Sequence, residues 1–239
     1  LDLCSTIMGF RMSEVLYFVG DKLPQLVRKR AQYEIRYRVI DSYARYNDFW
    51  WVKAENNWSA VCIGAVLATY LYAATKEETD AQLPRMIETI KCYLRGFDDE
   101  GCCLEGYGYW NYGFSHFCLF ASMLRDYTDG KIDLFKDEKV HAIARFQQNT
   151  SINDTQCISF SDCGSAFRPS GWLTHFLKNE YPDLEIPSIP FSRETAAPLR
   201  YILWQDPSLA DCTMNPKSHI YHNNQWFIYR SPAYNLACK

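Results

Sequence analysis

The sequence predicts a mainly α protein, with helical hairpins over residues 1–150 and the start of a β domain over 151–239. Three observations carry this expectation. Apolar residues recur at helical spacing in six segments up to Gln148. The landmarks Leu3, Trp58 and Tyr109 stand about fifty residues apart, a period that fits helix-pair repeats. After Thr150 the texture turns to short alternating runs punctuated by proline.

The elements follow in order. Leu3, Ile7, Phe10, Val15, Phe18 and Val19 mark a first helix that Gly20–Asp21 stops. Pro24 opens a second, running through Val27, Ala31, Ile35 and Val39 to about Tyr43. "RYNDFWWVKAENN" is a polar-aromatic loop. The third helix starts near Trp58 and carries Val61, Ala65, Ala68 and Leu71. The fourth spans about Thr79 to Leu94, with Pro84 in its first turns. The loop "RGFDDEGCCLEG" leads to a fifth helix over 109–127, "TDGKID" turns the chain, and a sixth covers 134–148. Six helices make three hairpins, and pairs stacked around an axis make an α/α toroid or a solenoid. Beyond Thr150, "QCISFSDCG" alternates as a strand and "GWLTHFLKN" reads as a short helix. "PDLEIPSIPFS" is extended, and strands at 225–230 and 234–238 flank Ser231–Pro232.

Composition excludes some classes. The chain has 239 residues, 48% apolar and 22% charged, with net charge −3. That charge, with only the short "RKR" run at Arg28–Arg30, argues against nucleic acid. Without a long apolar run, no membrane span is expected. Leu1–Gly20 lacks the pattern of a signal peptide, and the first residue is not Met, as in a processed chain or a fragment. Ten cysteines include Cys62, Cys92 and Cys118 in apolar helical segments and no C-x-x-C pair. They read as reduced structural thiols in a cytoplasmic or other reducing compartment, with a periplasmic or secreted location as the alternative. The sequons at Asn57, Asn149 and Asn153 matter only for a secreted eukaryotic chain. Aromatic residues reach 16%, with 17 Tyr and 7 Trp, which suits either sugar stacking or a Tyr-rich core.

One stretch stands apart. "GCCLEGYGYWNYGFSH" places Glu105, Tyr107, Tyr109, Tyr112 and His116 around a helix start. In a toroid, "AENNW" and "LEGYGYW" occupy equivalent loops, which would bring Asn56, Asn57, Glu105, Tyr109 and Tyr112 to one cleft. Each residue has a plainer role beside the functional one. Asn57 or Asn56 can be a helix cap, and the tyrosine stripe can be packing. His116 can be a buried, hydrogen-bonded core residue. Glu105 can charge a helix amino terminus, and Asp98–Asp99 can be a solvated turn.

"NNWSAVCIGAVLATYL" followed by "DDEGCCLEGYGYWNYGFSHFCLFASML" resembles the heparinase II/III-like family of polysaccharide lyases. That family shows N-N-[HW] opening one helix and D-G-x-x-x-E-G-x-x-Y-x-x-Y about fifty residues on. Here one residue is inserted between Asp99 and Gly101. The resemblance implies an α/α toroid, incomplete in this chain, followed by the first strands of an antiparallel β-sandwich. It implies β-elimination on an acidic, uronate-containing polysaccharide, heparin-like or alginate-like. A base removes the proton α to the uronate carboxylate while the neighbouring glycosidic oxygen leaves. Neutralising that carboxylate with a preorganised donor is worth about 3–4 kcal/mol. Asn57 would be that donor, and Tyr109 or Tyr112 would move the proton. Asn56, Trp58, Glu105, Tyr107 and His116 would bind substrate.

The sequence departs from the family in two ways. Trp58 stands where several members carry a carboxylate-binding histidine. The β-domain histidine, often within a metal-binding segment, has no match, since His219 and His222 are not at its place. The chain therefore reads as an internal piece of a longer lyase, with no cofactor of its own and a metal possible in the missing β domain. A second reading is a toroid glycoside hydrolase that pairs Asp99 or Glu105 with Glu55. A third is a non-catalytic carbohydrate-binding module.

Overall fold

The structure, a computed structural model, describes residues 1–153, 156–164, 169–189, 199–212, 214–215, 217–233 and 235–239. It is mostly helical, with a small antiparallel sheet near the carboxyl end. The chain forms two compact units, one from 1–96 with 116–133, the other from 97–115 with 134–239. The expected division at residue 150 falls within the second.

In the first unit, α1 (Leu3–Val19) opens with a capping box: Asp2 accepts from the Ser5 amide, and Ser5 Oγ accepts from the Asp2 amide. α2 (Gln25–Ile35) runs through one π-helical stretch, Arg36–Ile40, into α3 (Asp41–Arg45). The second predicted helix is thus one rod with a widened turn. α4 (Asn57–Ala73) is the core: Val61, Cys62, Ile63, Ala65, Val66, Leu67 and Ala68 are wholly buried. A helix apolar on all sides must be wrapped by others. α1 packs chiefly on it, more than on α2, and α5 (Lys76–Arg95) packs on its other flank.

Glycines allow the tightest approaches. A Cβ on Gly9 would stand 2.5 Å from Val39 Cγ2. One on Gly64 would stand 2.8 Å from the His116 carbonyl of α6 (Tyr107–Tyr127). Arg85 of α5 binds the Tyr43 and Tyr46 carbonyls, each at 2.8 Å, and lies 4.1 Å over the Tyr43 ring. The fourth helix starts earlier than predicted because Thr75 and Glu78 form a second capping box. Pro84 therefore lies well inside α5 and not in its first turns.

In the second unit, the sixth predicted helix is broken into a 3-10 turn (Leu134–Lys136), α7 (Glu138–Ala144) and α8 (Phe146–Thr150). Trp110 and Phe146 are fully buried and packed together at 6.1 Å, and Trp110 Nε1 donates to the Ile143 carbonyl at 2.8 Å. "QCISFSDCG" is mostly not a strand. Only Gln156–Cys157 (β2) pairs, against Ser151–Asn153 (β1), and 158–164 is irregular. α9 (Gly171–Glu180) matches the short helix predicted there, whereas α10 (Leu199–Trp204) was not foreseen. Of the proline-spaced run, 182–189 is irregular and 190–192 lies outside the described residues.

The predicted hairpin is present as β4 (Trp226–Arg230) and β5 (Asn235–Cys238), although Tyr234 lies outside the described residues. A strand that the sequence reading missed, β3 (His219–Tyr221), pairs with β4. Gln225, expected to open the strand, is instead a turn residue at φ +56°. Tyr221, Trp226 and Ile228 are buried on one face, and Ile220, Phe227, Tyr229 and Leu236 are exposed on the other. Arg230 ties the sheet down by donating to the carbonyls of Asn149 at 2.6 Å and Ser151 at 2.7 Å, and to that of Lys217. Burial lowers its pKa to about 10.

Candidate functional site

The expected residues fall in both units: Asn56, Asn57, Trp58 and His116 in the first, and Glu105, Tyr107, Tyr109 and Tyr112 in the second. In the first unit, Asn56 has extended backbone (φ −139°, ψ −177°), and its Oδ1 accepts from the Trp58 amide at 3.1 Å. Asn56 is therefore the cap of α4. Asn57 is the first helical residue, only 5% exposed. Its carboxamide is not the capping group, although it sits at the positive end of a 17-residue helix. Trp58 is half-buried against Trp50, with ring centroids 4.8 Å apart. Trp50 is 59% exposed, and Tyr46 and Phe49 form an edge contact nearby in sequence. Sequence reasoning passed over Trp50 as a loop aromatic. The sign that could have found it is the doubled tryptophan just before the paired asparagines.

In the second unit, Gly101 (φ +75°) and Gly106 (φ +88°) bracket the turn before α6. A Cβ on Gly101 would meet the Ala142 carbonyl carbon at 2.4 Å, and one on Gly106 the Phe160 carbonyl oxygen at 2.4 Å. Both glycines are thus dictated by the backbone on two counts. Asp98 is not a merely solvated residue. Its Oδ1 accepts from the amides of Glu100 and Cys102, and its Oδ2 accepts from Asn224 Nδ2. Glu100 accepts from the Asn223 amide at 2.9 Å. Asp99 is the solvated member, its side chain 99% exposed and 3.9 Å from Lys139 Nζ.

Along α6 the residues sort into two stripes. Tyr107, Trp110 and Phe114 are buried and in ring contact. Burial holds the Tyr107 phenol well above its ordinary pKa, so it stays protonated and packs as a core ring. Tyr109, Tyr112 and His116 follow the opposite stripe at three- and four-residue spacing. Tyr109 is 38% exposed, and Tyr112 and His116 are half-buried, as is Glu105 in the turn before the helix. The tyrosine stripe is therefore a more open face than the packing stripe beside it.

For the paired-carboxylate alternative, Glu55 forms an exposed pair with Arg95 at 3.4 Å. The second unit also contains a polar cleft of about 390 Å³ lined by Arg145, Asn149, Asp183, Lys217 and His219. Arg145 and His141 both reach Asp183 there. Among the described residues, no group of three His, Cys, Asp or Glu is placed to hold a metal ion. Nor is any helix among them long and apolar enough to cross a membrane. Neither a protein-family model nor a curated protein sequence matches this chain.

Proposed function

We propose that the chain is part of a lyase that cleaves an acidic, uronate-containing polysaccharide by β-elimination. Asn57 neutralises the uronate carboxylate, and Tyr109 or Tyr112 transfers the proton. The observation that carries this reading is the division of labour at α4: Asn56 caps the helix, and Asn57 is a buried carboxamide at its amino terminus. The N–H groups of that terminus add positive potential where a carboxylate would sit. Removal of the α proton places charge on the carboxylate, and a donor already oriented in a dry site stabilises that charge without reorganising.

The open stripe of Tyr109 and Tyr112 supplies phenols on the accessible side of α6. The hairpins then belong to an α/α toroid. β3–β5 begin a β-sandwich whose outer face, with Ile220, Phe227, Tyr229 and Leu236, is apolar enough to pack on a second sheet. The buried thiols fit a reducing compartment. The hydrolase alternative is weaker, because Asp99 is almost wholly in water and Glu55 lies in an exposed pair with Arg95.

The test is product chemistry. Elimination leaves a C=C bond conjugated to the uronate carboxylate, which absorbs in the ultraviolet. Alginate-like and heparin-like polymers should yield that chromophore. Whichever of Tyr109→Phe and Tyr112→Phe removes the reacting phenol should cut the rate about 10²–10⁴-fold. New reducing ends without the chromophore would replace the lyase by a hydrolase.

A second reading, carbohydrate binding without catalysis, is favoured by the exposed Trp50 paired with Trp58. It predicts saturable oligosaccharide binding that Trp50→Ala weakens, with no product of either kind.

A further inference from the structure

We propose that Cys157 and Cys163 are a covalent modification site, forming a reversible intramolecular disulfide that fastens the 157–163 loop onto the turn at Leu104–Gly108. The inference is independent of the lyase reading. It rests on two buried thiols whose sulfurs are 3.7 Å apart. An S–S bond needs about 2.05 Å, so each sulfur has to move roughly 0.8 Å. β2 ends at Cys157, and the loop returns through Ser161, which has left-handed backbone at φ +54°.

The loop lies on the turn before α6 at three points. Ser161 Oγ donates to the Leu104 carbonyl at 2.6 Å. A Cβ on Gly106 would stand 2.4 Å from the Phe160 carbonyl oxygen and 3.2 Å from Cys163 Cβ. A bond closing this loop therefore limits the motion of the segment that seats Glu105 and Tyr107.

The oxidant is a low-molecular-weight disulfide such as glutathione disulfide. Cys163 is the entry thiol, being 7% exposed against 1% for Cys157. Burial first, and the neighbouring sulfur second, push the Cys157 thiol up, so it stays protonated until the second step. Cys163 loses its proton to solvent, and its thiolate attacks one glutathione sulfur. The S–S bond breaks, and one glutathione thiolate leaves and takes up a proton. Cys157 then loses its proton to solvent and attacks the Cys163 sulfur of the mixed disulfide, expelling the second glutathione. The two protein thiols are oxidised, and one glutathione disulfide is reduced to two thiols.

The experiment exposes the full chain to glutathione disulfide, alkylates remaining thiols after denaturation and digests without reductant. Trypsin leaves both cysteines in one peptide, so chymotryptic cleavage at Phe160 is needed to reveal the cross-link. We expect Cys157 and Cys163 as a linked pair that dithiothreitol reopens, with Cys62 and Cys118 still alkylated. Backbone hydrogen exchange over 104–108 should slow in the oxidised form and return on reduction. Cys157→Ser and Cys163→Ser should each lose both effects. Full alkylation of both thiols under conditions that oxidise the exposed Cys4 and Cys238 would overturn the proposal. So would recovery of Cys163 only as a glutathione adduct, or a cross-link that leaves exchange over 104–108 unchanged.

Discussion

The carboxamide that closes the amino end of α4 belongs to Asn56, which accepts from the Trp58 amide. Asn56→Ala should therefore cost about 1 kcal/mol of stability in a denaturant titration. Asn57→Ala should lower the rate of elimination more than substrate affinity, because its donor matters most as charge builds in the transition state. Equal stability losses from the two variants, with no effect of Asn57→Ala on rate, would return Asn57 to a purely structural role. The pair "NN" was legible as a helix start, but either asparagine satisfied the pattern; only the extended backbone of Asn56 separates them. Tyr107 was read with the other tyrosines because residue type alone does not reveal which stripe of a helix is buried. Glu78 gives a pH dependence. Its carboxyl is held at about 2, below the ordinary 4.5, first by the Arg36 guanidinium and then by the Thr75 amide. A depressed folded-state value means the contribution is complete above about pH 4.5 and is lost as pH falls toward 2. Glu78→Gln should lower the melting temperature at neutral pH, and the difference from the parent chain should shrink across that window. A difference that is constant from pH 7 to 2 would show that the ion pair contributes nothing.

At the scale of elements, the turn from Gly101 to Gly106 shows how far a motif can be structural. Both glycines have left-handed backbone and abut other backbone directly. Gly130 has the same φ of +75° but nothing within 4 Å of its would-be Cβ. Comparing the two separates conformational strain from collision. Gly130→Ala should cost about 1 kcal/mol, the left-handed penalty alone. Gly101→Ala should cost about 3 kcal/mol or more, since the Ala142 carbonyl must also move. Denaturant midpoints of the two variants check this, and equal losses would contradict the clash. The helix spans of this chain were largely legible, because apolar periodicity and caps are local. Less legible were the break at Arg145 and the interior position of Pro84. Arg145 has ordinary helical dihedrals next to the break, and Pro84 depended on where the Thr75–Glu78 box starts α5. The strand β3 was missed because three residues are too short for alternation to register.

At the scale of the whole molecule, local texture and packing divide the chain differently. The change at Thr150, where long helices give way to short strands, short helices and irregular segments, was visible in the residues. The compact units follow partners distant in sequence. Within the second unit, Phe146 packs on Tyr221 and Trp226, Tyr181 donates to the Phe135 carbonyl at 2.7 Å, and Arg230 binds the Asn149 carbonyl. No pattern within 134–150 names those partners, so the dependence could not be read there. It has a direct consequence for dissection. A piece ending at residue 150 would keep 97–115 and 134–150 but lose the residues that pack on Phe146 and hydrogen-bond Phe135 and Asn149. It would expose aromatic surface whose burial contributes roughly 25 cal/mol per Å². In such a piece, hydrogen exchange should be fast over 97–115 and 134–150 and remain slow over α4, whose partners α1 and α5 are all present. In the full chain, all of these segments should be protected. Native-like protection of 134–150 in the truncated piece would show that the helical segment stands without the strands, and that the contacts of Tyr221, Trp226 and Arg230 are incidental to it.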